Sequence, residues 1–226
     1  MKRFWKQVSV DADRVVRLDD KPVRTPGRAA LALPGTALAE AVADEWRAVG
    51  ETIDPRAMPL TGLANAAIDR VAPDAAAFAA SLASYGESDL LYYRAEDPPE
   101  LVARQAAVWD PLLDWACGRY DVHFATTAGV MHTPQPRATL ERLGEALAAR
   151  DPFALVALQP IVTITGTLIG ALALAEGATD AETLWRAAHV DEDWQVEMWG
   201  EDPLAVQARE ARRRDYDAAV RFLAMT

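Results

Sequence analysis

One cysteine, Cys117, stands in a chain of 226 residues. A lone thiol excludes an internal disulfide and a zinc site built from paired cysteines, and it fits a reducing compartment. Histidine is almost as scarce. His123, His132 and His189 are the whole set, and no two of them have metal-ligand spacing. No Gly-x-Ser-x-Gly elbow, Gly-x-Gly-x-x-Gly run or Walker-type loop occurs, so the sequence offers no ground for a serine hydrolase or a nucleotide-binding loop. Excess positive charge is missing too. The balance is 23 Lys and Arg against 34 Asp and Glu, a net charge of −11, whereas a phosphate-backbone binder needs a basic face. The longest apolar run, Ile161 to Ala175, is interrupted by threonines and is too short to span a bilayer. At the N-terminus Lys2-Arg3 leads at once into Phe4-Trp5-Lys6-Gln7-Val8, with no signal or transit segment. These absences describe a cytoplasmic protein that acts through its surface. They give no reason to expect catalytic residues, a metal, a cofactor, a small-molecule substrate, nucleic acid or membrane insertion.

What is present suits a folded domain. The chain is 51% hydrophobic and 25% charged, an ordinary globular balance, and a chain of this size buries roughly 70% of its unfolded surface. Residues 1 to about 34 read as short strands separated by Asp, Pro and Gly. Val8 and Val10 alternate with polar neighbours, Val15-Val16-Arg17-Leu18 runs into a turn at Asp19-Asp20, and Ala29 to Leu33 alternates again. Such a sheet must pack on a helix. One is predicted from Thr36, read as its N-cap, to a stop at Gly50, with Leu38, Val42, Trp46 and Val49 on one face. Beyond Pro59 the pattern is helical. Leu60, Leu63, Ala67, Ile68 and Val71 form one stripe, and Phe78, Leu82 and Tyr85 another. A helix after Pro98-Pro99 carries Trp109 and Trp115, with Pro111 expected to kink or restart it. Residues 119 to 133 fit either a short strand or a long loop. Leu140, Leu143 and Leu147 share a face after Pro136, and Asp151-Pro152 is a helix start. Ile161 to Ala175 reads as one buried central helix. Thr179-Asp180-Ala181-Glu182 reads as a capping box, and Asp202-Pro203 as the cap of a final helix through Arg221. The fold class is therefore α+β: a small N-terminal antiparallel sheet packed on a helix, over about residues 1–55, followed by a larger mostly α-helical domain, 56–226.

Chemistry-bearing patterns are few. The distinctive segment from Asp44 to Asp69 holds no nucleophile–base pair, metal spacing or phosphate loop; Trp46, Pro59, Asn65 and Asp69 read as structural. Near the C-terminus, Asp191-Glu192-Asp193-Trp194-Gln195-Val196-Glu197-Met198-Trp199-Gly200-Glu201-Asp202 interleaves acids with two tryptophans and a methionine. Trp and Met favour protein interfaces, and acids at a rim supply charge complementarity. By contrast Trp109, Trp115 and Trp185 fall on helical stripes and read as core. Arg209, Arg212, Arg213 and Arg214, with Glu210 and Asp215 among them, read as a salt-bridged surface.

The ordered motifs Phe4-Trp5-Lys6-Gln7-Val8, Leu18-Asp19-Asp20-Lys21-Pro22-Val23-Arg24-Thr25-Pro26, Glu45-Trp46, Met58-Pro59-Leu60-Thr61, Asn65, Ile68-Asp69, Asp89-Leu90-Leu91, Tyr93-Arg94-Ala95, Gln105, Trp109-Asp110-Pro111, Trp115, Asp191-Glu192, Gln195 and Trp199-Gly200 together resemble one family. It comprises the assembly chaperones that hold the alpha subunit of the F-type ATP synthase catalytic sector before it joins the beta subunit. The resemblance covers nearly the whole chain and departs at Asp20, where the family has a turn glycine, and at Leu204, where many relatives have Glu. It implies a small N-terminal α/β domain, a helical domain and a holdase acting on the alpha subunit. It also implies a functionally important acid at Asp191 or Glu192, with Glu192 favoured, and, given the lack of a transit segment, a bacterial relative. The expected client-binding set is Glu192, Asp191, Trp194, Gln195, Met198, Trp199 and Glu201, with Gly200 structural. Two other readings remain at this stage. One is a scaffold or regulatory module for another partner. The other is a hydrolase using Asp191, Glu192 and His189, which would need a deep pocket holding a carboxylate of raised pKa.

Overall fold

The computed structural model describes residues 2–226. Its described residues group into two compact units. The first comprises residues up to Ala75 together with Asp151–Ala157 and Asp217–Thr226; the second comprises Ala76–Arg150 and Leu158–Tyr216. The fold is α+β, with the strands concentrated at the N-terminus as expected.

In the first unit, β1 (Val8–Val10), β2 (Val16–Leu18) and β3 (Lys21–Pro22) form an antiparallel sheet in that order. Leu18 pairs with Lys21, so Asp19-Asp20 is a two-residue hairpin turn. The left-handed residue there is Asp19, at φ 52°, not Asp20. Its carboxylate accepts hydrogen bonds from the N–H groups of Lys6 (3.0 Å) and Gln7 (2.9 Å), which offsets the cost of that backbone region. Helix α1 (Thr36–Ala48) packs on β1 and β2. Gly35, not Thr36, occupies its N-cap position, without a side-chain cap. Leu38, Val42 and Val49 are buried as their spacing requires, while Trp46 is half-buried and packs edge-on against Trp5 at 5.4 Å.

The segment that carries no chemistry turns out to be an internal brace. Pro59 is the first residue of α2 (Pro59–Ala66), where its missing N–H costs nothing. Glu45, one turn from the end of α1, caps that helix: its carboxylate accepts from the Leu60 N–H (2.8 Å), the Thr61 N–H (2.7 Å) and the Thr61 hydroxyl (2.7 Å). A π-helical turn, Ala67–Val71, follows and aims Asp69 at the turn around Gly27. There Asp69 accepts from the Thr25 hydroxyl and the Gly27 N–H, both at 2.7 Å. The Gly27 backbone lies so close that a methyl group would meet the Asp69 carboxylate at 2.6 Å. Asn65 is half-buried, with its Oδ1 shielded from solvent.

After the short α3 (Ala75–Ala83), α4 (Pro99–Tyr120) of the second unit runs unbroken through Pro111 and carries Trp109 into the core beside Leu91, Tyr92, Leu112, Ile169 and Ala173. The Trp109 indole donates to the Ala187 carbonyl at 2.7 Å. Residues 121–136 are mostly loop. Two of them, Thr127–Ala128 (β5), pair in parallel with β4 (Tyr93–Arg94). Helix α5 (Arg137–Ala148) buries Leu143 and Leu147.

The single helix expected over Ile161–Ala175 is two: α6 (Pro152–Thr165) and α7 (Leu168–Ala175). Gly166 adopts φ 70° and ends the first, and Thr167 caps the second by accepting from the Gly170 N–H at 2.9 Å. Asp89 completes this junction. Fully buried, it accepts from the Leu91 and Ile169 N–H groups, both at 3.0 Å. Gly170 lets α8 (Ala181–Ala188) approach closely, because a methyl group there would collide with Leu184. The cap of α8 is Asp180 rather than Thr179; it accepts from the Thr183 N–H at 2.8 Å.

Candidate client-binding groove

Two helices build the site. Helix α9 (Val190–Trp199) follows α8 directly, and α10 (Pro203–Leu223) follows after three residues. The turn between them depends on Gly200, at φ 84° and ψ 174°, a region open essentially only to glycine. On its far side Asp202 accepts from the Leu204 N–H at 3.0 Å and starts α10, as the Asp-Pro pair predicts. Among the residues of α9 only Val190 is buried. The helix is held by polar contacts at its edges rather than by a core stripe.

Those contacts divide the sequence-predicted residues between two sides of α9. Asp191 and Trp194 turn toward α4. The Gln105 amide donates to Asp191 at 2.7 Å, and the Arg104 guanidinium lies 4.8 Å from the Trp194 ring centroid while pairing with Glu197 at 2.7 Å. Glu192, Gln195, Trp199, Gly200 and Glu201 instead line a groove of about 810 Å³ with Val196 and the start of α10. Met198 is exposed outside that lining. Trp199 is 78% exposed, Leu204 74%, Met198 51% and Val196 37%. These are four large apolar side chains in water within one short stretch of sequence, of which Val196 and Trp199 face the groove.

Three arginines of α10 are salt-bridged, as their sequence context suggested, but across helices. Arg209 pairs with Asp193 (2.6 Å), Arg212 with Glu192 (2.8 Å) and Arg213 with Glu182 (2.8 Å). Sequence reasoning assigned their partners to α10 itself and so missed Arg209 and Arg212 as members of the site. The available signal was their spacing of three, which puts both on one helical face.

His189 sits at the head of α9, 3% exposed and stacked on Trp185 at 3.9 Å between centroids. Its Nδ1 donates to the Trp185 carbonyl at 2.8 Å, and burial holds its pKa below the usual imidazole value. Of the three residues a hydrolase would need, only Glu192 lines the groove. The carboxyl that burial does raise, to about 6, is that of Asp89, which is fully buried and spent on capping. A second depression, of about 760 Å³, lies where α4, α5 and α7 end. Arg119 and Arg150 there converge on Glu176, and cations at helix C-termini are accounted for by the helix dipoles. Among the described residues no helix is long and apolar enough to cross a membrane.

The model of the family described as ATP12 chaperone protein matches residues 2–117. The chain belongs to the ATP12 chaperone family. Atp12 from Paracoccus denitrificans has the same architecture at TM-score 0.93 and 44% identity, over 100% of this chain and 98% of that one. A point mutant of P. denitrificans Atp12p superposes at TM-score 0.94 and 44% identity, over 99% of this chain and 97% of that one. A chaperone candidate from Agrobacterium tumefaciens gives TM-score 0.93 at 43% identity, over 99% of this chain and 85% of that one. The matched family segment ends within α4, while the structural likeness extends through α9 and α10. The ATP12 family places the chain among the chaperones of ATP synthase assembly.

Proposed function

We propose that this chain is a non-catalytic holdase for the alpha subunit of F-type ATP synthase in the bacterial cytoplasm. It would cover the client's beta-facing apolar surface with the α9–α10 groove until the beta subunit arrives. The observation that carries this reading is the exposed run Val196, Met198 and Trp199 beside the Glu192–Arg212 pair, in a chain of the ATP12 chaperone family. Exposed Trp and Met supply contact area, and the charged rim supplies orientation and specificity. A holdase must also let go. A modest interface is displaced by the larger native one through mass action, with no need for nucleotide hydrolysis by the chaperone. Glu192, Gln195, Met198, Trp199 and Glu201 contact the client in this scheme, while Asp191 and Trp194 hold α9 against α4.

The test is light scattering of refolding alpha subunit with and without the chain, with beta subunit added later. Stoichiometric suppression followed by release to beta is the expected result. Absence of both suppression and co-elution refutes this client, and a scaffold serving another partner would then be the reading to test. Glu192→Lys is expected to weaken client binding while leaving the fold intact, because an exposed ion pair is worth about 0–1 kcal/mol. Unchanged client binding by that variant would remove Glu192 from the contact set.

A further inference from the structure

The groove's own ion-pairing determines which charge it can still accept. Arg209, Arg212 and Arg213 are each committed to a carboxylate of α8 or α9. Asp202 is committed to capping α10. Glu201 and Glu210 also line the groove, and neither joins any of the ion pairs of the described residues, which leaves Arg214 as the lining cation without a carboxylate partner there. A backbone N–H does not neutralise Asp202, so the lining carries three carboxylates without a cation partner among the described residues, Glu201, Asp202 and Glu210, against Arg214, within a chain of net charge −11. An incoming cation gains from both the local and the long-range field, and an incoming carboxylate is opposed by both.

The apolar half of the lining points to a protein segment rather than a small cation. Val196 and Trp199 lie on successive turns of α9, the spacing that meets the apolar stripe of a helix laid in a groove. We infer that the groove takes an amphipathic helical segment of the client, its apolar face over Val196 and Trp199 and its basic flank against Glu201 and Glu210. This rests on the holdase reading above and adds the chemistry of the bound segment.

The probes are two synthetic 18-residue amphipathic peptides with the same Leu and Trp face, one flanked by Lys and the other by Glu, titrated against the full chain by calorimetry. The Lys peptide is expected to bind about tenfold more tightly at low salt, as two rim charges worth about a factor of three each would give, and to lose that advantage at 1 M salt. The double variant Glu201→Gln, Glu210→Gln should erase most of the preference while leaving apolar binding, and Trp199→Ala should weaken both peptides. Equal affinity of the two peptides, or a Lys preference untouched by the double variant, overturns the inference. Alpha-subunit scattering run in parallel separates the two ideas. Suppression without peptide discrimination leaves the holdase reading standing and removes the basic-segment chemistry. Discrimination without suppression keeps the groove's chemistry and removes that client.

Discussion

Gly200 is the residue on which the groove's geometry turns, and its replacement by alanine gives a magnitude. At φ 84° and ψ 174° an L side chain is strained by about 1–3 kcal/mol. No atom lies within 4 Å of where the new methyl would sit, so the whole cost is conformational. Alanine also lowers the entropy of the unfolded chain, which returns about 0.4–1 kcal/mol. The net expectation for Gly200→Ala is a loss of roughly 1–2 kcal/mol, or a re-formed turn that moves Trp199 away from α10 and weakens client binding. Gly118 is the internal control. It is exposed within α4, and a methyl there also meets nothing within 4 Å, but its backbone is helical. Gly118→Ala should therefore raise stability by up to about 1 kcal/mol. Urea unfolding of both variants, read beside client binding, is the assay. If Gly200→Ala matched the native chain in stability and in binding, the turn would not be strained and the argument for Gly200 as the pivot would fail.

Three further perturbations follow from the same structure. Asp89 has its folded pKa raised by burial from 3.8 to about 6, so its contribution to stability is full below the unfolded value and is lost as pH rises through the folded one. The stability of the native chain relative to Asp89→Asn should accordingly increase by about 1 kcal/mol between pH 7 and pH 5 in urea titrations, and a difference independent of pH would show that Asp89 does not titrate there. Glu45→Ala removes three hydrogen bonds from the start of α2 and should cost about 1–2 kcal/mol; a shift of the denaturation midpoint too small to measure would mean that water caps the helix equally well. Gly170→Ala forces a methyl into Leu184 and should cost about 1–3 kcal/mol by overpacking, whereas a variant of unchanged thermal stability would show that Leu184 can move aside.

Local patterning determined much of this protein. The two-residue turn at Asp19-Asp20, the apolar face of α1, the Asp-Pro starts of α6 and α10 and the cores around Trp109 and Trp185 all follow from periodicity and capping chemistry. Both depend on neighbours a few residues away. Where a helix ends inside an apolar stretch, only tertiary structure decided the place. Ile161 to Ala175 is apolar apart from its threonines, yet it breaks at Gly166 because the Asp89 carboxylate and the Thr167 hydroxyl supply the hydrogen bonds that a new helix start needs. The segment from Asp44 to Asp69 reads as structural in the sequence, but its partners are distant or cross a loop and only the fold shows them: Glu45 reaches Leu60 and Thr61, and Asp69 reaches Thr25 and Gly27. The interleaved acids and tryptophans of α9 singled that segment out in the sequence as the candidate site. Which of them share a face was decided by packing. Gln105 and Arg104 draw Asp191 and Trp194 to α4, and the arginines of α10 draw Glu192 to the groove. Ion pairs between helices carry no sequence period, so the groove exists only once the chain has folded.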